Sequence, residues 1–257
     1  MSHPLVLVDI EGTTTPITFV KDTLVGISKA LEMFPYVLNN IRDFLDRKWE
    51  SPELHTYIEH LREQGRQDQI SGDIDAVQIP DLAASPPEVV KQAVIQNVDA
   101  QMEADRKIGA LKAFQGYMWE EGYASGDLKS SVYNDVPVAF KRWTSNGKKV
   151  YIYSSGSIAA QKLLFEFSDK GNLLPYISGH YDTTIGGKTL PSSYEAIGKS
   201  LDASPQDILF ISDNILEIEA AEKAGLATAV SVRPGNAPID PDRLEGKMVI
   251  ESFDSLP

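Results

Sequence analysis

The chain has 257 residues, 37 acidic against 24 basic side chains for a formal charge of −13, and no cysteine. Disulfides, thiolate metal sites and a cysteine nucleophile are therefore excluded, and so acidic a chain speaks against sequence-independent binding to nucleic acid or an anionic membrane, which needs clustered cations. With 42% apolar and 24% charged residues the composition is globular, enough for one large domain or a core with a smaller second unit.

The first element in chain order is Leu5-Val6-Leu7-Val8, which ends at Asp9-Ile10-Glu11-Gly12-Thr13-Thr14. A short continuous apolar run bounded by polar residues reads as a strand buried on both faces. The residues around it offer neither a basic leader nor a small-residue cleavage site, so no signal peptide is expected. Nowhere do about 18 apolar residues run together, so no helix is expected to span a membrane. Cytosol is the default compartment, with a nuclear pool left open. Two carboxylates two residues apart at the end of a buried strand lose hydration and repel each other, which calls for a cation beside them. The competing reading is an Asx-type turn with a solvated glutamate.

From about residue 20 to 125 the texture changes to helical periodicity, as in Val89, Val90, Ala93, Val94, Asn97 and Val98. The stretch Gln67 to Pro87 is rich in Gly, Pro, Asp and Ser and reads as a long loop, with Pro86-Pro87-Glu88 opening the next helix. Trp49, Trp119 and Trp143 sit in helical patterns and are expected in the core.

Two more segments repeat the opening form. Val150 to Tyr153 runs into Ser154-Ser155-Gly156-Ser157 and a helix from Ile158 to Phe167, and Ile208 to Ile211 runs into Ser212-Asp213-Asn214 and a helix from Ile215 to Ala224. Further strands are expected at Ala227 to Val232 and Met248 to Ile250. Strand, polar loop and helix in succession make the βα unit of a parallel sheet. The fold class expected is α/β: a Rossmann-like parallel sheet with helices on both faces and an inserted α-helical cap. The division expected is 1–19 and 126–257 for the catalytic core and 20–125 for the cap.

Polar residues at strand ends are where such sheets bind ligands. Ser154 and Ser155 offer hydroxyls and amides to a phosphate oxygen, although serine is also an ordinary helix cap, above all at Ser157. Gly186-Gly187-Lys188-Thr189 imitates the tail of a P-loop, but the required earlier glycine is Asp182 and no strand is expected to run into the segment. Lys188 precedes a helix at Pro191 to Ile197 and could serve as a fixed point charge. Asp9 and Asp213, at the ends of neighbouring strands, would make an oxygen-only site suited to Mg²⁺, unless Asp213 merely caps the following helix. His3, His55, His60 and His180 have no metal-ligand spacing, and no G-x-S-x-G elbow supports a serine hydrolase.

The order Asp-x-Glu, strand-end Ser, Lys, strand-end Asp resembles the haloacid-dehalogenase-like superfamily. Within it the strings VDIEGTTTPITFVKD, ADRKIGALKAFQGYMWEEGY, KVYIYSSGSIAAQKLLF, GHYDTTIGGK and VSVRPGNAP are similar to the enolase-phosphatase family of methionine salvage, over Val8 to Pro238. The resemblance implies Asp9 as the nucleophile that forms an aspartyl-phosphate and Glu11 as the general acid/base, where the wider superfamily has Asp. It implies one Mg²⁺ held by Asp9, the Glu11 carbonyl and Asp213, with Ser154, Ser155 and Lys188 binding substrate, and leaves open whether Glu217 supports the metal. It further implies a monomer that enolises 2,3-diketo-5-methylthiopentyl 1-phosphate and then hydrolyses the phosphate to give the acireductone, under a cap that closes. A phosphatase for another small phosphomonoester and a catalytically silent acidic scaffold are the competing readings.

Overall fold

The computed structural model describes residues 3–17, 33–73 and 76–257. The chain divides into two compact units, one spanning Lys129–Pro257 together with the N-terminal residues and the other Met33–Leu128. The expected core–cap boundary at residues 19 and 20 lies outside the described residues, as do 20–32 and 74–75 of the expected cap.

The Met33–Leu128 unit contains α1 (Met33–Lys48), α2 (Pro52–Ile70), α3 (Pro87–Glu103) and α4 (Gly109–Ser125). Their apolar residues recur at helical spacing: α3 buries Val90, Val94 and Val98 but leaves Val89 half exposed at 51%. Phe44 of α1 meets Phe114 and Tyr117 of α4 edge-on, and Trp119 donates its indole N–H to the Met33 carbonyl at 2.7 Å. Trp119 and Trp143 are buried, as expected, whereas Trp49 is half-buried beneath the Lys91 ammonium, 5.2 Å from its ring. α2 continues to Ile70, four residues into the expected loop, and Asp68 near its end pairs with Arg106.

The other unit is an α/β layer structure. Its strands are β1 (Leu5–Val8), β2 (Lys149–Tyr153), β3 (Ile177–Tyr181), β4 (Ile208–Ser212), β5 (Ala227–Ser231) and β6 (Val249–Ile250), in the sheet order β3-β2-β1-β4-β5-β6. All five pairings are parallel. The helices are α5 (Asp135–Ser145), α6 (Ile158–Glu166), α7 (Pro191–Ser200), α8 (Ile215–Lys223) and the short α9 (Pro241–Leu244). The parallel sheet is the one expected, and β4, buried at every residue, carries the unbroken apolar sequence that two covered faces require. Leu7, Phe210 and Val230 of the sheet pack with Tyr194, Ile197 and Ile218 of α7 and α8.

One expectation is corrected. A strand, β3, does lead toward Gly186-Gly187-Lys188. Its sequence, ISGHY, escapes notice because β3 is the edge of the sheet, paired only with β2 and with no residue fully buried, so no apolar run marks it. Gly179 sits where a Cβ would come within 3.0 Å of the Tyr151 ring, so close packing with β2 asks for glycine. Because every strand runs the same way, Asp9, Ser154, Asp182 and Asp213 all leave the sheet at its carboxyl edge.

Candidate active site

β1 lies between β2 and β4 in register, Val8 opposite Ile152 and Ile211, and the Asp9 N–H donates to the Ile211 carbonyl at 2.9 Å. Asp9, only 5% exposed, is thus fixed at the centre of the sheet's carboxyl edge. Its Oδ1 accepts the Ile10 N–H at 2.7 Å and the Lys188 ammonium at 2.5 Å, and its Oδ2 accepts the Ser212 hydroxyl at 3.1 Å. Lys188 Nζ also pairs with Glu217 Oε2 at 2.7 Å, and Ser212 Oγ lies 2.9 Å from that same oxygen. The Ser212 hydroxyl has one proton for two carboxylates, so Lys188 is the cation that holds both acids together.

Lys188 is held from behind. Its carbonyl accepts the hydroxyl of buried Tyr194 at 2.6 Å, Tyr153 donates to the Gly186 carbonyl at 2.9 Å, and Ser193 donates to Gly187 at 2.8 Å. The ammonium lies 5.8 Å from the Tyr153 ring centre. Burial alone would lower the lysine's pKa, but the charges of Asp9 and Glu217 and their hydrogen bonds outweigh it, and Lys188 is raised well above the ordinary value. Glu217 is raised above the usual carboxylate range by burial and by the negative charge of Asp9.

After Asp9 the chain turns tightly, the N–H groups of Thr13, Thr14 and Thr15 all pointing at the Ile10 carbonyl. Gly12 has φ of 66°, and a Cβ there would collide with the Asp213 carboxylate. Asp213 is anchored through its N–H to Thr13 Oγ1 at 3.1 Å, and the cap of α8 is Asn214, which accepts the Leu216 N–H at 3.0 Å. The carboxylate of Asp213 is therefore not consumed by capping. Burial, and then Asp9 and Glu217, push its pKa up to about 7.

Ser154 and Ser155 leave the end of β2 beside Asp9. Ser154 is buried, its N–H bonded to Tyr181 and its Oγ to the Gly156 N–H at 3.3 Å, while Ser157 caps α6 through the Ala160 N–H. Glu11 is half-buried, and its backbone bridges Thr15. The structure thus joins Asp9 and Lys188 directly, sets Asp213 against the Gly12 turn, and keeps the two serines on the adjacent strand end. Sequence reasoning missed Ser212 and Asn236 and left Glu217 at the margin. The signal was available for two of them, since Ser212 closes an apolar strand and Asn236 follows β5 in a polar loop.

The oxygen-rich corner is short of positive charge. Asp9, Asp213 and Glu217 face one ammonium, and among the described residues no cation lies within ion-pair distance of Asp213. No group of three or more His, Asp or Glu side chains there forms a metal cage by itself. Two carboxylates with a peptide carbonyl and water, all hard oxygens, fit a small divalent cation.

The haloacid dehalogenase-like hydrolase family matches residues 3–225. The chain belongs to that class of hydrolases. The enolase-phosphatase E1 of Anopheles gambiae is 44% identical over 258 residues, covering 100% of this chain and 83% of the relative. That of Dictyostelium discoideum is 45% identical over 261 residues, covering 98% and 94%. The crystal structure of the UTR4 protein of Saccharomyces cerevisiae superposes with a TM-score of 0.77 at 32% identity, covering 99% of this chain and 100% of that one. Within the hydrolase class, the chain is a member of the enolase-phosphatase E1 family.

Proposed function

We propose that the chain is a magnesium-dependent enolase-phosphatase that converts 2,3-diketo-5-methylthiopentyl 1-phosphate into the acireductone 1,2-dihydroxy-3-keto-5-methylthiopentene and phosphate, in methionine salvage. The observation that carries the chemistry is the buried Asp9 carboxylate bonded to Lys188 at the sheet's carboxyl edge. Asp9 attacks phosphorus, an Asp9 O–P bond forms as the ester P–O bond breaks, and Glu11 protonates the leaving enol oxygen. Glu11 then takes a proton from water, whose oxygen attacks phosphorus, releasing inorganic phosphate and restoring Asp9. Lys188 offsets negative charge on the phosphoryl oxygens, with Ser154 and Ser155 as their donors.

Asp9, the Glu11 carbonyl and Asp213 would hold Mg²⁺. When bound, the cation neutralises phosphate charge and polarises the substrate carbonyl for enolisation. Residues 20–125 are the proposed cap insertion of a core formed by 1–19 and 126–257, a division resting on the switch in sequence texture. Among the described residues no helix is long and apolar enough to cross a membrane. A monomer located in the cytosol or the nucleus is the remaining part of the proposal.

With Mg²⁺ and the diketo phosphate, the purified protein releases phosphate and forms the acireductone, and Asp9→Asn lowers turnover by roughly 10⁴-fold or more while the circular dichroism spectrum is retained. Full turnover in Asp9→Asn refutes the nucleophile. Faster turnover of another phosphomonoester in a substrate panel replaces the substrate but keeps the chemistry.

A further inference from the structure

Asn236 occupies the loop after β5, near the Gly12 turn and Asp213. Its Nδ2 donates to the Gly12 carbonyl at 2.9 Å and to the Ser231 carbonyl at 3.3 Å. Two carbonyl acceptors fix the amide's orientation, because the flipped amide would set oxygen against oxygen. Its Oδ1 is consequently turned toward the Gly12 Cα, where it is buried and has no hydrogen-bond partner. The position it faces is given by Gly12: a Cβ built there would lie 2.9 Å from Asn236 Oδ1 and in collision with Asp213 Oδ2. An amide oxygen and a carboxylate oxygen thus both come within 2.9 Å of one point.

Two acceptors held close together repel unless something between them donates or carries positive charge. A buried amide oxygen left without a partner is costly, so the arrangement calls for a donor. Tyr133 repeats the pattern, its buried hydroxyl also without a partner although it feels the charge of Asp213. The loop itself is rigid. Arg233 pairs with Asp135 at 2.7 Å, donates to the Glu251 carbonyl at 2.8 Å and lies against the rings of Tyr133 and Phe253, and the Asn236 N–H donates to the Arg233 carbonyl at 3.1 Å.

We propose that Asn236 is a positioning residue for the divalent cation: its Oδ1, aimed by the Gly12 and Ser231 carbonyls, accepts a hydrogen bond from a water molecule that the cation carries beside Asp213. The inference rests on the magnesium reading above. It assigns the β5 loop a part in metal binding, beyond the loops after β1 and β4.

The test is calorimetric titration of Mg²⁺ into the metal-free protein, with no substrate, for wild type, Asn236→Ala and Asn236→Asp. Outer partners of metal ligands typically change affinity by about 10–100-fold, and Asn236→Ala should weaken Mg²⁺ binding on that scale. Asn236→Asp loses the same two N–H donors but keeps an oxygen toward the water, and should bind Mg²⁺ at least about tenfold more tightly than Asn236→Ala. If the amide serves only to clamp Gly12 and Ser231, the two variants lose thermal stability alike and bind Mg²⁺ alike, and the proposal is overturned. Wild-type affinity in Asn236→Ala overturns it as well. A wild-type protein that binds no Mg²⁺ refutes instead the magnesium reading on which it rests.

Discussion

At Lys188 a single ammonium stands between two acids from different parts of the chain, Asp9 and Glu217, with side chains about one-tenth exposed or less. Such a triad contributes little over an apolar core, but removing the one cation leaves two carboxylates buried without compensation. Lys188→Met is expected to destabilise the metal-free protein by about 3–5 kcal/mol, measured by urea unfolding in EDTA. The loss has a definite pH dependence. Glu217 has a folded pKa raised above its unfolded value, so it stabilises the fold most at low pH and ceases to do so as pH rises through the raised value. The penalty of Lys188→Met should therefore be larger at pH 8 than at pH 5. An equal penalty at both would show that the lysine does not neutralise these acids. The same residue explains why a sequence reading saw the site only in part: Asp9, Lys188 and Asp213 each follow a recognisable strand end or glycine pair, whereas the direct Glu217–Lys188 pair depends on how α8 is set against the loop before α7.

Among elements, legibility follows burial. β1, β2, β4 and β5 could be read because their inward residues make apolar runs, and α3 because Val90, Val94 and Val98 keep one face. The edge strand β3 could not, since its residues are at most half-buried and its one close packing constraint selects glycine. That strand carries its own titration. His180 lies against α6 with Nδ1 3.1 Å from Gln161 Oε1, and the Gln161 amide is oriented by donating to the Gly156 and Tyr181 carbonyls, so Nδ1 is the donor. Burial, helped by the Lys162 charge, lowers the His180 pKa to about 4. A depressed folded value means stability that is present above pH 6.5 and is lost as pH falls toward 4. Because the ring is partly exposed, the loss is of order 1 kcal/mol. His180→Gln should flatten the pH dependence of the melting temperature across that window. An unchanged slope would assign the acid sensitivity to other groups.

For the whole molecule, the charge of −13 and the anionic ligand pull in opposite directions. Close in, Lys188 and the proposed cation favour phosphate, while at longer range the surplus of acids repels it. Salt screens the long-range part first, with a Debye length near 10 Å at 0.1 M. At saturating Mg²⁺, kcat/KM for the phosphate ester should accordingly hold steady or rise as ionic strength increases from about 10 to 150 mM, and a steep fall would reveal steering by a local positive surface instead. The central place of β1 has another consequence, for how the chain comes into being. Leu5–Val8 emerges from the ribosome before both of its neighbours, Lys149–Tyr153 and Ile208–Ser212, which lie far downstream. The Met33–Leu128 unit is synthesised in full before either arrives, so the inserted unit can fold before its host, and the long loop between β1 and β2 is shortened by that folding. The strand that ends at Asp9 is thus an early apolar segment awaiting a late sheet, which has to capture it from both sides.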